Sequence, residues 1–129
     1  MIDRVRVLLV DDDDLMRAGL RAVLSTDESI EVVGEGADGR SAVSTARALR
    51  PDVVLMDLSL PIVDGWEATR QLKNDIRTAH IPIVALTAHD GAGELQRATR
   101  AGCDWFVPKP CPPDALITEL RRVLAGTRP

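Results

Sequence analysis

Five short apolar runs, separated by stretches with helical spacing, constrain this chain more than any other feature. The runs are Val5–Val10, Ile30–Val33, Val53–Met56, Ile81–Leu86 and Trp105–Val107. They are near-continuous rather than alternating, which suits parallel strands covered on both faces. Between them, Leu15, Met16, Leu20, Val23 and Leu24 mark one helical stripe, and Ala42, Val43, Ala46 and Leu49 mark the next. The last stripe is Leu116, Ile117, Leu120, Val123 and Leu124, with Gly126 placed to close that helix. Five β–α repeats in 129 residues predict a single α/β domain, a doubly wound parallel sheet with helices on both faces. In such sheets the binding crevice lies outside the carboxyl ends of the strands.

Composition narrows the function class. Apolar residues make up 45% of the chain and charged residues 28%, as expected of a globular protein in water. A net charge of −4 argues against direct binding to nucleic acid, which needs a basic face. No apolar run approaches the roughly 18 residues of a membrane span. The N-terminus lacks the apolar core of a signal peptide, so the expected location is the cytoplasm, with no membrane partner. Cys103 and Cys111 form no C-x-x-C pair and have no clustered histidines, so both are read as free thiols. Only two lysines occur, Lys73 and Lys109.

The strand ends carry the chemistry. The first run leads straight into Asp11, Asp12, Asp13 and Asp14, and the third leads into Asp57. The fourth ends in Thr87 and the fifth at Lys109-Pro110. Clustered carboxylates repel one another unless a cation joins them. Oxygen ligands at a shallow crevice suit Mg²⁺, which shares its shell readily with a phosphate. A carboxylate can also attack phosphorus to give an aspartyl-phosphate, with metal and ammonium neutralising the transferring oxygens. Asp13 and Asp14 are read as helix caps and dipole partners. Taken singly, Thr87 would pass for a helix cap and Lys109 for a surface lysine. Their arrival at successive strand ends is the specific signal.

With these residues in place, the chain resembles the response-regulator receiver family from Val5 to about Gly126. The matching stretches are VLLVDDDDLMR, DVVLMDLSLPIVDGWE, IPIVALTA and AGCDWFVPKPC. The resemblance implies a flavodoxin-like sheet of order 2-1-3-4-5 with five helices, a domain over residues 1–126 and a short tail over 127–129. By resemblance Asp57 is the phosphoacceptor, and Asp11, Asp12, Asp57 and the backbone carbonyl of Ser59 hold Mg²⁺. Thr87 would hydrogen-bond the phosphoryl group, Lys109 would pair with it, and Phe106 would be the aromatic that turns when Thr87 moves. Ser59 and His89 stand where residues tune the lifetime of the phosphoryl group, and Lys109–Pro110 stands where a cis bond is expected. Pro108 would be tolerated because the family places the last strand at a sheet edge. Cys111-Pro112-Pro113 departs from the usual start of the last helix, and glycines near His89 to Gly93 predict a mobile start to the fourth.

The resemblance also implies partners. A histidine kinase or histidine phosphotransfer protein would donate the phosphoryl group, docking on the first helix near Leu15, Met16 and Gly19. The residues alone would place those side chains in the core. Output would pass to a downstream protein through the face formed by the fourth helix, fifth strand and fifth helix, with Trp105 on it or half-buried beside it. A phosphorylation-dependent dimer is left open. With no effector after residue 126, output is expected through another protein, unless this is a receiver cut from a longer chain. Such a protein is a signalling switch, with only self-phosphorylation and self-dephosphorylation as activity.

Two sequence patterns compete with this reading. Gly34-Glu35-Gly36-Ala37-Asp38-Gly39 is a literal G-x-G-x-x-G between a strand and a helix. It follows the second strand, and Glu35 and Asp38 would repel a pyrophosphate, so a flexible turn is the preferred reading. Asp11-x-Asp13 superficially fits a haloacid-dehalogenase-type phosphatase, but Leu15 replaces the expected Thr or Val. A pseudo-receiver that never takes phosphate would lack part of the set Asp11, Asp12, Asp57, Thr87 and Lys109, which here is complete.

Overall fold

The computed structural model describes residues 4–58, 60, 63–87, 92–108 and 113–125. Strands and helices alternate throughout: β1 (Val5–Val10), α1 (Asp14–Leu24), β2 (Ile30–Gly36), α2 (Gly39–Leu49), β3 (Val53–Asp57), α3 (Gly65–Lys73), β4 (Ile83–Thr87), α4 (Ala92–Ala101), β5 (Trp105–Pro108) and α5 (Pro113–Leu124). The strands form one parallel sheet of order β2-β1-β3-β4-β5, as the resemblance implies. Proline at the end of β5 is accommodated because β5 is an edge strand.

The sheet separates two apolar layers. Leu8, Val10, Val54, Met56, Ile83 and Ala85 face α2 and α3, meeting Ala42, Val43, Ala46, Ala68 and Leu72. Val7, Leu9, Val53, Leu55, Val84 and Leu86 face the other way, meeting Leu24 of α1 and Leu116, Leu120 and Val123 of α5. The central strand explains the absence of alternation in the sequence. Val53, Val54, Leu55 and Met56 all have 0% exposure because both faces are covered. Each such side chain contributes about 1.5–3 kcal/mol through burial.

Three boundaries differ from the sequence expectation. β2 runs to Gly36 rather than Val33, because Leu8, Leu9 and Val10 continue to pair with Gly34, Glu35 and Gly36 after a one-residue register shift. β4 starts at Ile83 rather than Ile81. Pro82 has no N–H to give a ladder, and Ile81 instead donates to the carbonyl of Thr78 at 3.0 Å. The first turn of α1 is not core: Leu15 is 84% exposed and Met16 42%. That turn begins beyond the last residue of β1, where no sheet lies beneath it, and only Leu20, Val23 and Leu24 reach the apolar layer.

The glycine-rich segment is also more ordered than a flexible turn. Gly34 and Gly36 belong to β2, and α2 starts at Gly39. Asp38 accepts from the Ser41 backbone N–H at 2.7 Å, while its own N–H donates to the Ser41 hydroxyl at 3.3 Å, a reciprocal capping box. Gly39 is required for space, since a Cβ there would lie 1.9 Å from the Val63 carbonyl oxygen. At the far end of the chain Pro113 opens α5, where a missing N–H costs nothing. Gly126, expected to close α5, the Lys109–Pro110 bond, Cys111-Pro112 and the stretch from His89 to Gly91 lie outside the described residues.

Candidate functional site

β1 and β3 are neighbours in the middle of the sheet, and their carboxyl ends bring three acids together. Ligand oxygens of Asp11, Asp12 and Asp57 all lie within 4.8 Å of one another. The depth is graded: Asp11 is 1% exposed, Asp57 is half-buried and Asp12 is exposed. Pairing of Val10 with Met56 sets the height of this cluster: Asp11 follows Val10 just past the end of β1, and Asp57 follows Met56 as the last residue of β3.

Local hydrogen bonds fix the cluster from the β1 side. The Asp11 N–H continues the ladder to the Gly36 carbonyl at 3.0 Å. The Asp11 carboxylate accepts the Asp13 N–H at 2.9 Å, turning the chain toward α1. Asp13 is the N-cap, accepting from the Leu15 and Met16 N–H groups at 2.9 and 3.1 Å, as expected from the sequence. Asp14 lies in the first turn and pairs with Arg17. Arg17 then donates to the Asp11 carbonyl at 2.6 Å and to Glu35 at 2.8 Å. The sequence marks neither as part of this site: Arg17 looks like an ordinary charge on a solvated face, and Glu35 figures only in the glycine-rich segment, as a charge that would repel a pyrophosphate.

From the β3 side, the chain after Asp57 is held down by α3. The Gly65 N–H donates to the Leu58 carbonyl at 3.1 Å, and Asp64 caps α3 by accepting from the Glu67 N–H at 2.8 Å. A Cβ at Gly65 would meet the Asp57 carbonyl oxygen and Leu58 Cα, each at 2.6 Å. Close approach of α3 to the acid cluster therefore depends on glycine.

The remaining sequence-selected residues fall into two groups. Thr87 closes β4, paired with Pro108, so its backbone is at the same edge of the sheet as the acids. Phe106 is half-buried on β5 opposite Ala85 and packs on the α2–α3 layer. Ser59, His89 and Lys109 lie outside the described residues. Trp105 is turned to the other layer: it is buried, and its indole N–H donates to Glu119 of α5 at 2.6 Å. Its burial there favours the packing reading. Lys73, the other lysine, pairs with Asp104 at 2.7 Å and donates to the Ile81 carbonyl at 2.8 Å, a structural role at the opposite ends of the strands.

An unanticipated contact joins α3 to α4. The Arg97 guanidinium sits 3.9 Å from the centre of the Trp66 ring, a cation–π contact. The Cys103 thiol is buried near the Thr69 hydroxyl at 3.8 Å, and desolvation pushes its pKa up to about 11. It is a free thiol, as expected, and Cys111 lies outside the described residues.

An oxygen-only cluster of this size fits a hard divalent cation. Three ionised carboxylates at this separation repel one another by roughly 3 kcal/mol per pair at an effective dielectric of about 20, and a bound dication reverses the sign. Among the described residues, no helix is long and apolar enough to cross a membrane.

Comparison with known proteins agrees with the geometry. The family profile described as the response regulator receiver domain matches residues 7–121. The response regulator protein VraR of Staphylococcus epidermidis is 39% identical over 122 residues, covering 95% of this chain and 57% of that protein. The chain thus spans little more than half the length of the curated relatives it matches. Among solved structures, a LuxR-family two-component response regulator from Aurantimonas sp. SI85-9A1 superposes with a TM-score of 0.90 at 34% identity, covering 98% of this chain and 89% of that one. The receiver domain of a sensor histidine kinase from Pseudomonas aeruginosa, described with a magnesium ion in its active-site cleft, has a TM-score of 0.86 at 32% identity, with 95% and 98% covered. A profile match across most of the sequence, together with the five-stranded fold, shows that this chain belongs to the response regulator receiver family, the switch domains of two-component signalling.

Proposed function

We propose that this receiver takes a phosphoryl group on Asp57, with Mg²⁺ held by Asp11, Asp12, Asp57 and the backbone carbonyl of Ser59. The observation that carries the reading is the convergence of three carboxylates within 4.8 Å at the ends of β1 and β3. A carboxylate oxygen of Asp57 attacks the phosphorus of a phosphohistidine on a histidine kinase or phosphotransfer protein. The new O–P bond forms as the N–P bond breaks, and the freed imidazole leaves with the electron pair and is then protonated. The cation supplies charge neutralisation at the transferring oxygens. Lys109 pairs with the phosphoryl group, and Thr87 donates a hydrogen bond to it.

The inward pull on Thr87 vacates space that Phe106 enters. The half-buried position of Phe106 on the edge strand supports this, since it can exchange packing for exposure at small cost. The motion biases the surface formed by α4, β5 and α5 between two states and so selects a downstream protein. Ser59 and His89 flank the reaction centre in sequence and set access of the hydrolytic water. Exposed Leu15 and Met16, beside the acid cluster at the start of α1, offer apolar contact to the phosphodonor.

The test is intact mass after incubation with acetyl phosphate and Mg²⁺, for the natural chain and for Asp57→Asn. The expected result is a gain of one phosphoryl group in the natural chain alone, lost when Mg²⁺ is chelated. No gain in the natural chain would refute the assignment and leave a binding module that takes no phosphate.

A further inference from the structure

We propose that Arg17 is a positioning residue for the acid cluster, acting on Asp11 through its main chain, and that Glu35 in turn orients Arg17. The proposal rests on the reading of the cluster as a Mg²⁺ site. Three side-chain contacts use the whole guanidinium. Nη1 donates to the Asp11 carbonyl at 2.6 Å, Nε to Glu35 at 2.8 Å and Nη2 to Asp14 at 2.7 Å. Arg21 also pairs with Glu35. The Arg17 side chain is only 17% exposed, so this is not a mobile surface pair.

The Asp11 carbonyl lies one residue beyond the last ladder position of β1, on a residue that is 1% exposed. A buried carbonyl there needs a donor, and Arg17 provides one. The N–H of Asp11 is tied to Gly36, and its carboxylate accepts from Asp13. Of these three ties, the one to Arg17 can be removed by truncating a side chain while leaving Asp11 itself unchanged.

Charge and geometry make opposite predictions here. A guanidinium beside a cation site would weaken Mg²⁺ binding through repulsion, so its removal would tighten binding. Glu35 and Asp14, each in direct contact with Arg17, cancel that charge locally. What remains is orientation. Residues that hold a metal ligand in place typically cost 10–100-fold in affinity when removed.

The experiment is calorimetric titration of the whole chain with Mg²⁺, alongside thermal unfolding, for the natural chain, Arg17→Ala, Arg17→Lys and Glu35→Gln. Arg17→Ala and Glu35→Gln are expected to bind Mg²⁺ about tenfold more weakly while still folded at the titration temperature. Arg17→Lys keeps one donor but loses the fork, and should fall between the natural chain and Arg17→Ala. Tighter binding by Arg17→Ala would mean that its charge dominates, and would overturn the proposal. An unchanged Kd with a lowered melting temperature would reduce Arg17 to a structural role, with the same consequence. Absence of Mg²⁺ binding in the natural chain would instead remove the metal reading itself, and the proposal with it.

Discussion

Gly65 stands where α3 begins, and a side chain there has no room. A methyl group would press on the Asp57 carbonyl and on Leu58 at 2.6 Å, and both belong to the segment that carries the proposed phosphoacceptor. Gly65→Ala should therefore destabilise the fold by about 1–3 kcal/mol, the usual cost of overpacking. It should also slow phosphorylation of the chains that remain folded. Urea midpoints and the initial rate of mass gain would measure the two effects separately. Cys103 gives a second prediction at this scale. Burial holds its thiol neutral, with a pKa near 11, so alkylation at pH 8 should be far slower in the native state than in urea. Mapping the modified peptide would distinguish Cys103 from Cys111. Fast native labelling at Cys103 would contradict its buried placement.

The helix starts show how elements are specified by one or two side chains. Asp13, Asp38 and Asp64 each accept a backbone N–H at the first turn of the helix that follows. Asp38→Ala removes half of the α2 capping box and should cost about 1 kcal/mol. The expected signature is a lower urea midpoint with an unchanged slope. Most elements were legible because their signal is local. Continuous apolar runs mark strands covered on both faces, and Asp before a stripe marks a helix start. The start of β4 was misread despite a local signal, Pro82, whereas the other two differences depended on distant partners. The extension of β2 through Gly36 is decided by pairing with β1, and no local pattern of Gly-Glu-Gly reports it. Leu15 and Met16 fit the helical stripe perfectly well, yet the sheet ends before it reaches them. Of the site, Asp11, Asp12 and Asp57 were legible from their position after apolar runs. Arg17 and Glu35 were not, because their roles depend on a contact across 18 residues of sequence.

At the scale of the molecule, ion pairs tie the helical layers to the loops below the sheet. The Asp75 carboxylate accepts from both the backbone N–H and the guanidinium of Arg77, and also from Arg47 of α2 at 2.8 Å. The hydrogen bonds from Arg77 come first among the causes that keep the Asp75 carboxyl well below the usual carboxylate range. In the unfolded chain it would titrate near 3.9. The unfolded state then binds the proton first as pH falls, so this contribution is complete above about pH 4 and is lost on further acidification. Asp75→Asn should lower the urea midpoint at pH 7, and the gap to the natural chain should narrow as pH falls below about 4. A gap independent of pH would show that the charge plays no part. The register shift in β2 has a consequence of its own. Val32 pairs with Val7 and Gly34 with Leu8, so Val33 is one residue more than the ladder needs. Because side chains alternate between faces, that single addition inverts the phase of all that follows it. Val32 faces the layer of α1 and α5, whereas the Cβ position of Gly34 lies beside Leu49 and Thr45 of α2. Glu35 is thereby delivered to α1, within reach of Arg17 and Arg21. Were β2 to run through Val33 without that shift, the same glutamate would point at the opposite helix: the acid cluster is tuned, at a distance, by an odd or even count.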